Sequence, residues 1–273
     1  MTGPLQPQIL GFGAHKAGTT WLHDNLVTNP GVWRPPLKEM HFFSHQMTGE
    51  RWMFKGHRAR LTERRERSLA SGMPGKAAYL NRLLKAPMLS EDWYRKVYNR
   101  CPAGLQSVDI TPAYALLDTA SLRYMGSLLG DQFKAIYLIR DPAARVISAV
   151  KSHAAQTEYV GQTIDFWLDL ITHSTNRKRS DYERTIRLLD AELGDRVLYL
   201  PFGQIKTDPV GLLRKVEVHC GLPDGQYHQA KKPKHVSPLV AIPEGLQEAA
   251  QILLKKQYDW LQKRFENTFL ESI

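Results

Sequence analysis

The chain has 273 residues, 42% of them hydrophobic and 23% charged, which excludes a disordered or fibrous protein and leaves a globular one. Its 37 Lys and Arg outnumber its 27 Asp and Glu for a net charge of +10, but residues 51–100 hold 13 of the basic groups and only 4 of the acidic ones. The excess therefore belongs to one segment, which argues against a general nucleic-acid-binding role.

No run approaches the roughly 18 consecutive apolar residues of a membrane helix. The start of the chain lacks the basic and apolar regions of a signal peptide, so a cytoplasmic location is expected. Cys101 and Cys220 have no metal-site spacing and are expected as two free thiols in a reducing compartment.

In chain order, Gln8–Gly13 reads as a short buried strand ending at a glycine turn, followed by a helix through Trp21 and Leu26 that Asn29-Pro30-Gly31 closes. Residues 45–105 are basic, helical or irregular, and dotted with aromatics. They read as an elaboration on one domain spanning residues 1–273. A second strand is expected at Gln106–Ile110, before Thr111-Pro112, and a third at Lys134–Ile139. Asp141 and Pro142 then occupy the N-cap and first-turn positions of a helix to about Ser152. A strand at Val197–Phe202 leads through Asp208-Pro209 to another helix, and one long amphipathic helix is expected over residues 243–265. Strands alternating with helices predict an α/β fold with a parallel central sheet flanked by helices.

The first strand–loop–helix unit carries Gly13-Ala14-His15-Lys16-Ala17-Gly18-Thr19-Thr20. A glycine loop running into a helix N-terminus is an anion site built from free N–H groups and the helix dipole. The pattern departs from the nucleotide-triphosphate loop, which requires Lys after the second glycine; here Thr19 stands there and the lysine sits earlier, at Lys16. The segment Lys16-Ala17-Gly18-Thr19-Thr20-Trp21-Leu22 resembles the 5′-phosphosulfate loop of the sulfotransferases that use 3′-phosphoadenosine 5′-phosphosulfate (PAPS). The resemblance implies that these residues grip the phosphosulfate and that Lys16 stabilises the departing nucleotide. Ile139-Arg140-Asp141-Pro142, with Ser148 eight residues after Arg140, is similar to the same family's 3′-phosphate site. A guanidinium fork and a hydroxyl suit a phosphate monoester.

Lys38-Glu39-Met40-His41-Phe42-Phe43 looks like the Glu-x-His-Phe-Phe segment of heparan-type and related bacterial sulfotransferases. The resemblance makes Glu39 the general base, with His41 bonding the acceptor or orienting Glu39. The plain alternative is an exposed Lys38–Glu39 ion pair over packed phenylalanines. Asp109 is either a second carboxylate or the cap of the turn after its strand. Several glycan-modifying members carry a lysine just before the Thr-Pro pair, where this chain has Ile110. Lys231-Lys232-Pro233-Lys234-His235 resembles the late basic loop over the 3′-phosphate, which gives Lys232 and Lys234 a nucleotide-binding role. Trp21 matches an adenine-stacking tryptophan or is simply core.

The resemblance implies a P-loop-like bacterial sulfotransferase. It would move a sulfuryl group from PAPS to a hydroxyl, less readily an amine, of a carbohydrate or small-molecule acceptor, and release PAP. The acceptor is open to being anionic; neither metal nor nucleic acid is expected, and the oligomeric state is undetermined. Two rival functions are a P-loop small-molecule kinase and a polyanion-binding protein that uses residues 51–100.

Overall fold

In parallel sheets both faces are covered by helices, so the strands appear in sequence as short, continuous apolar runs. The computed structural model, which describes residues 6–157, 163–232 and 240–273, turns the four expected runs into strands and adds a short fifth, Val32–Trp33, that was not expected from the sequence. They are β1 (Ile9–Gly13), β2 (Val32–Trp33), β3 (Gln106–Ile110), β4 (Lys134–Ile139) and β5 (Val197–Pro201). All pair in parallel, in the order β2-β3-β1-β4-β5. Every residue of β1 is buried, since it lies between β3 and β4. Gly11 is required by that crowding: a Cβ there would come within 2.7 Å of Ile110 Cγ2 on β3.

Helix α1 (Thr19–Leu26) follows β1. The basic segment is helical, comprising α2 (Phe42–Thr48), α3 (Met53–Ala70), α4 (Pro74–Lys85) and α5 (Glu91–Tyr98). It shares the main core, where Leu61, Leu80, Leu83, Trp93 and Tyr98 belong to the same apolar cluster as the sheet. A 3₁₀ turn (Pro112–Leu116) and α6 (Thr119–Leu129) lead into β4, and α7 (Pro142–Thr157) leaves it. The Asp141 carboxylate caps α7 by accepting from Ala144 N at 2.7 Å, as the Asp-Pro pair predicts. Helices α8 (Ile164–Thr172), α9 (Ser174–Ser180) and α10 (Tyr182–Leu193) precede β5. Then come α11 (Gln204–Thr207) and α12 (Pro209–Cys220), and Asp208 caps the latter through Gly211 N at 2.9 Å.

The helix expected over 243–265 is two helices, α13 (Leu246–Leu253) and α14 (Lys255–Arg264), followed by α15 (Asn267–Leu270). The break at Leu254 has a packing reason. Leu246 and Ala250 of α13 fill a second, smaller core with α7 and α8, whereas Gln257 and Leu261 are the buried residues of α14, which packs on α10. One straight axis cannot serve both partners. Both cysteines are buried free thiols, and burial pushes them up to about 11 for Cys101 and about 12 for Cys220.

The strand order places a topological switch beside β1. The chain first fills the β3 side and then crosses to build β4 and β5 on the other. In such sheets the crevice at the carboxyl ends of the two diverging strands is the natural ligand site. Here it is bounded by the loops after β1 and β4, which carry Lys16 and Arg140.

Candidate active site

The crevice is a cavity of about 870 Å³, within the usual size range of ligand sites. Its wall includes Lys16, Gly18, Thr19, Thr20 and Trp21 from the first loop and helix, and Arg140 and Ser148 from the loop after β4 and from α7. Glu39, Phe202, Lys231 and Lys232 also line it. The Lys16 loop, the Arg140–Ser148 segment and Glu39, distant in sequence, thus share one cavity.

The loop after β1 reverses sharply, with Lys16 at φ 66° and Gly18 at φ 81°. At Gly18 the positive φ favours glycine, and a Cβ would stand 2.5 Å from Ile205 Cδ1, which would have to shift. This turn brings the first-turn amides of α1, which have no helical acceptor, to the cavity floor. Lys16 Nζ donates to Ser152 Oγ at 2.5 Å, and Arg140 Nη1 donates to Lys16 O at 2.8 Å. Arg140 also lies over the Phe202 ring, 4.6 Å from its centroid. Burial first, and then the Arg140 charge, hold Lys16 below its ordinary lysine value. Ser152 was not singled out in the sequence. It lies four residues after Ser148 on α7, a spacing that places both on one helix face.

Glu39 is partly open, its side chain 32% exposed, and has two cationic or polar neighbours. His41 Nε2 lies 3.2 Å from Oε2, and Lys38 Nζ lies 3.6 Å from Oε1. Burial pushes the Glu39 pKa up, but the His41 hydrogen bond and the Lys38 charge outweigh it, so the carboxyl titrates below the ordinary glutamate value of 4.5. His41 is 7% exposed, packs edge-on against Trp52, and stands behind Glu39 instead of on the cavity wall. His41 thus contacts the Glu39 carboxylate and is not itself part of the cavity lining. Lys38 is no mere surface ion pair, because it also donates to Thr20 Oγ1 at 3.1 Å and so ties the glutamate segment to the anion loop.

Asp109 takes the structural alternative. It is 2% exposed and accepts from Thr111 Oγ1 at 2.6 Å, Tyr114 OH at 2.7 Å and Tyr94 OH at 2.9 Å. Thr111 Oγ1 in turn accepts from Met40 N at 3.0 Å, so this buried network holds the chain on which Glu39 sits. Trp21 is 2% exposed, with Nε1 donating to Ala230 O at 2.8 Å. The tryptophan pins the turn that carries Lys231 and Lys232 against the cavity mouth. Lys234 lies outside the described residues. His15 also lines the cavity and was not assigned a role from the sequence. Burial, then Arg179, Arg145 and Lys16, pull its pKa down to about 3, so the imidazole is neutral at ordinary pH.

A parallel α/β sheet with a glycine-containing loop and a cavity at its switch point defines an α/β protein of the kind that holds ligands at the carboxyl ends of its strands. The sequence profile described as "Sulfotransferase family" matches residues 7–226, and the chain belongs to that family. Solved structures agree on the fold. A sulfotransferase from Alicyclobacillus acidocaldarius aligns over 97% of this chain and 98% of its own, at 18% identity and a TM-score of 0.65. The sulfotransferase domain of the curacin biosynthetic pathway covers 93% of this chain and 99% of its own, at 14% identity and a TM-score of 0.55. The sulfotransferase domain of the Synechococcus PCC 7002 olefin synthase covers 95% and 96%, at 21% identity and a TM-score of 0.53. A search of curated proteins finds no match.

Proposed function

We propose that this chain transfers a sulfuryl group from PAPS to a hydroxyl of a carbohydrate or small-molecule acceptor and releases PAP. The observation that carries the reading is that Lys16, Arg140, Ser148 and Glu39 line one cavity at the switch point of the sheet. The residues present fit the nucleotide: α1 presents its first-turn amides and Lys16 to an anionic group. On the β4 side, Arg140 and Ser148 offer a donor fork and a hydroxyl to a phosphate monoester. Lys232 adds a cation at the rim, and Trp21 anchors the turn that carries it.

In this reading Glu39 takes the acceptor proton as the acceptor oxygen bonds to sulfur and the sulfur–phosphate oxygen bond breaks. Its depressed pKa keeps it ionised for the task, and His41 holds the carboxylate in orientation. Lys16 stabilises the negative charge that gathers on the leaving oxygen, a preorganised electrostatic role.

Isothermal titration in EDTA tests the assignment. The wild-type chain is expected to bind PAP. Arg140→Ala should weaken that binding, and Glu39→Gln should retain it while turnover falls by about 10²–10⁴-fold, the usual contribution of a general base. Binding of Mg-ATP with no response to PAP would overturn the reading in favour of a kinase.

A further inference from the structure

Lys38 is not part of the cavity wall, yet it touches residues on two sides of it. Its side chain is only 16% exposed. Nζ donates to Thr20 Oγ1 at 3.1 Å and lies 3.6 Å from Glu39 Oε1. Thr20 and Glu39 both line the cavity, one from the first turn of α1 and the other from the segment before α2.

The segment that carries Lys38 is fixed two residues further on. Met40 N donates to Thr111 Oγ1 at 3.0 Å. Its carbonyl is held by His57, which is fully buried on α3. Burial lowers the His57 pKa to about 4, so at ordinary pH the ring is neutral, with one donor and one acceptor nitrogen. Nε2 lies 3.0 Å from Met40 O and can only donate to it; Nδ1 is therefore the acceptor for Arg60 Nη2, also at 3.0 Å. With Met40 pinned through both its N–H and its carbonyl, Lys38 reaches Thr20 from a defined position.

The contact with Thr20 has a direction. An ammonium has donors only, so Thr20 Oγ1 is the acceptor, and the single hydroxyl proton is left for another partner. Thr20 makes no other side-chain hydrogen bond among the described residues. A hydroxyl on the first turn of α1, beside helix amides that have no acceptor, is placed to donate to an anion held there. The contact with Glu39 has a separate consequence. Lys38 stands at Oε1 while His41 Nε2 stands at Oε2, so each carboxylate oxygen is held by a different residue. Against burial, which raises the Glu39 pKa, the His41 hydrogen bond and then the Lys38 charge pull it down.

We propose that Lys38 is a positioning residue that joins the two sides of the cavity: it leaves the Thr20 hydroxyl as a donor to the nucleotide's phosphate and holds the Glu39 carboxylate toward the acceptor. The phosphate in this statement rests on the sulfuryl-transfer reading; the hold on Glu39 is open to a separate measurement.

A double-mutant cycle on PAP binding, read by isothermal titration of the full chain, tests the Thr20 contact. Thr20→Val should weaken PAP by about tenfold, the size of a hydrogen bond to a charged group. Lys38→Met alone should weaken it by about threefold or more, but by no more than about twofold in the Thr20→Val background, where the contact is already broken. Titration of the Glu39 carboxyl by ¹³C NMR, its resonance assigned with Glu39→Gln, tests the other contact: Lys38→Met should move it to higher pH. Circular dichroism checks folding, and Lys38→Gln takes the same place in the cycle should Lys38→Met not fold. Equal weakening by the Lys38 substitution in both backgrounds, or an unmoved Glu39 titration, overturns the proposal. If the wild-type chain binds no PAP, the sulfuryl-transfer reading falls, while the cycle with inorganic pyrophosphate as the anion probe and the Glu39 titration still decide the role of Lys38.

Discussion

Replacing Asp109 by alanine removes the shared acceptor of three buried hydroxyls, those of Thr111, Tyr114 and Tyr94. A buried donor left without a partner costs about 1–3 kcal/mol, and the three are not additive because they share one carboxylate. The expected loss is about 3–5 kcal/mol, a large share of a typical domain's stability. With a urea m-value of about 3 kcal/mol per M, the unfolding midpoint should fall by about 1–1.7 M. Asp109→Asn keeps one acceptor and removes a buried charge. Burial raises the Asp109 pKa against the pull of its three hydroxyl partners, so the ionised form is the disfavoured one in the fold. The asparagine variant should therefore lose only about 1 kcal/mol. Its pH dependence should also differ from wild type. The folded pKa is raised, so the wild-type contribution is full below the ordinary aspartate value of 3.8 and is lost as pH rises through the folded pKa. The variant lacks that slope. Urea titrations of both variants across this pH range are the assay. An asparagine variant as unstable as the alanine one, or an alanine variant within about 0.5 kcal/mol of wild type, refutes the account of Asp109 as a neutral-preferring hub.

Two further predictions concern the titration of carboxylates whose folded pKa is lowered. Because Glu39 titrates below 4.5, the acid limb of kcat/KM should lie below that value, and His41→Ala, which removes the largest lowering influence, should move it upward; an unmoved limb would detach His41 from Glu39. Glu217, buried on α12, accepts from Asn29 Nδ2 at 3.0 Å, Gly225 N at 2.6 Å and Tyr227 OH at 2.7 Å, tying the late turn to the β1 side of the fold. Burial raises its pKa, but Tyr227 and Arg214 outweigh this and bring it below 4.5. Its stabilisation is therefore present above 4.5 and lost as pH falls through the lowered folded value. Glu217→Gln should be destabilised at neutral pH and converge on wild type in acid, as read from thermal midpoints; parallel curves would refute this.

The sequence by itself determined the strands of the switch point and their loops, because both depend on local rules. Buried parallel strands are unbroken apolar runs, Asp-Pro opens a helix, and a loop with glycines at its turns precedes α1. For the same reason Lys16, Arg140, Ser148 and Glu39 could be picked out singly. Their resemblance to sulfotransferase motifs agrees with the family match. Less of the outer layer was legible. Helices α8, α9 and α10 went unassigned, although Ile186, Leu189 and Leu193 mark a helical face. The two-residue β2 is too short for any period to show.

Only the tertiary structure decided what depends on contacts between distant segments. It chose the hub role for Asp109, set His41 behind Glu39, and joined Lys16 to Ser152 across 136 residues. It also broke the last long helix in two, because its halves have different packing partners. The charge of +10 changed its meaning in the same way. The sequence places the excess in residues 51–100, but only the fold buries His57 against Met40 and so fixes where Arg60 is held. A sequence carries charge as a sum, whereas a fold decides which charges are left without partners.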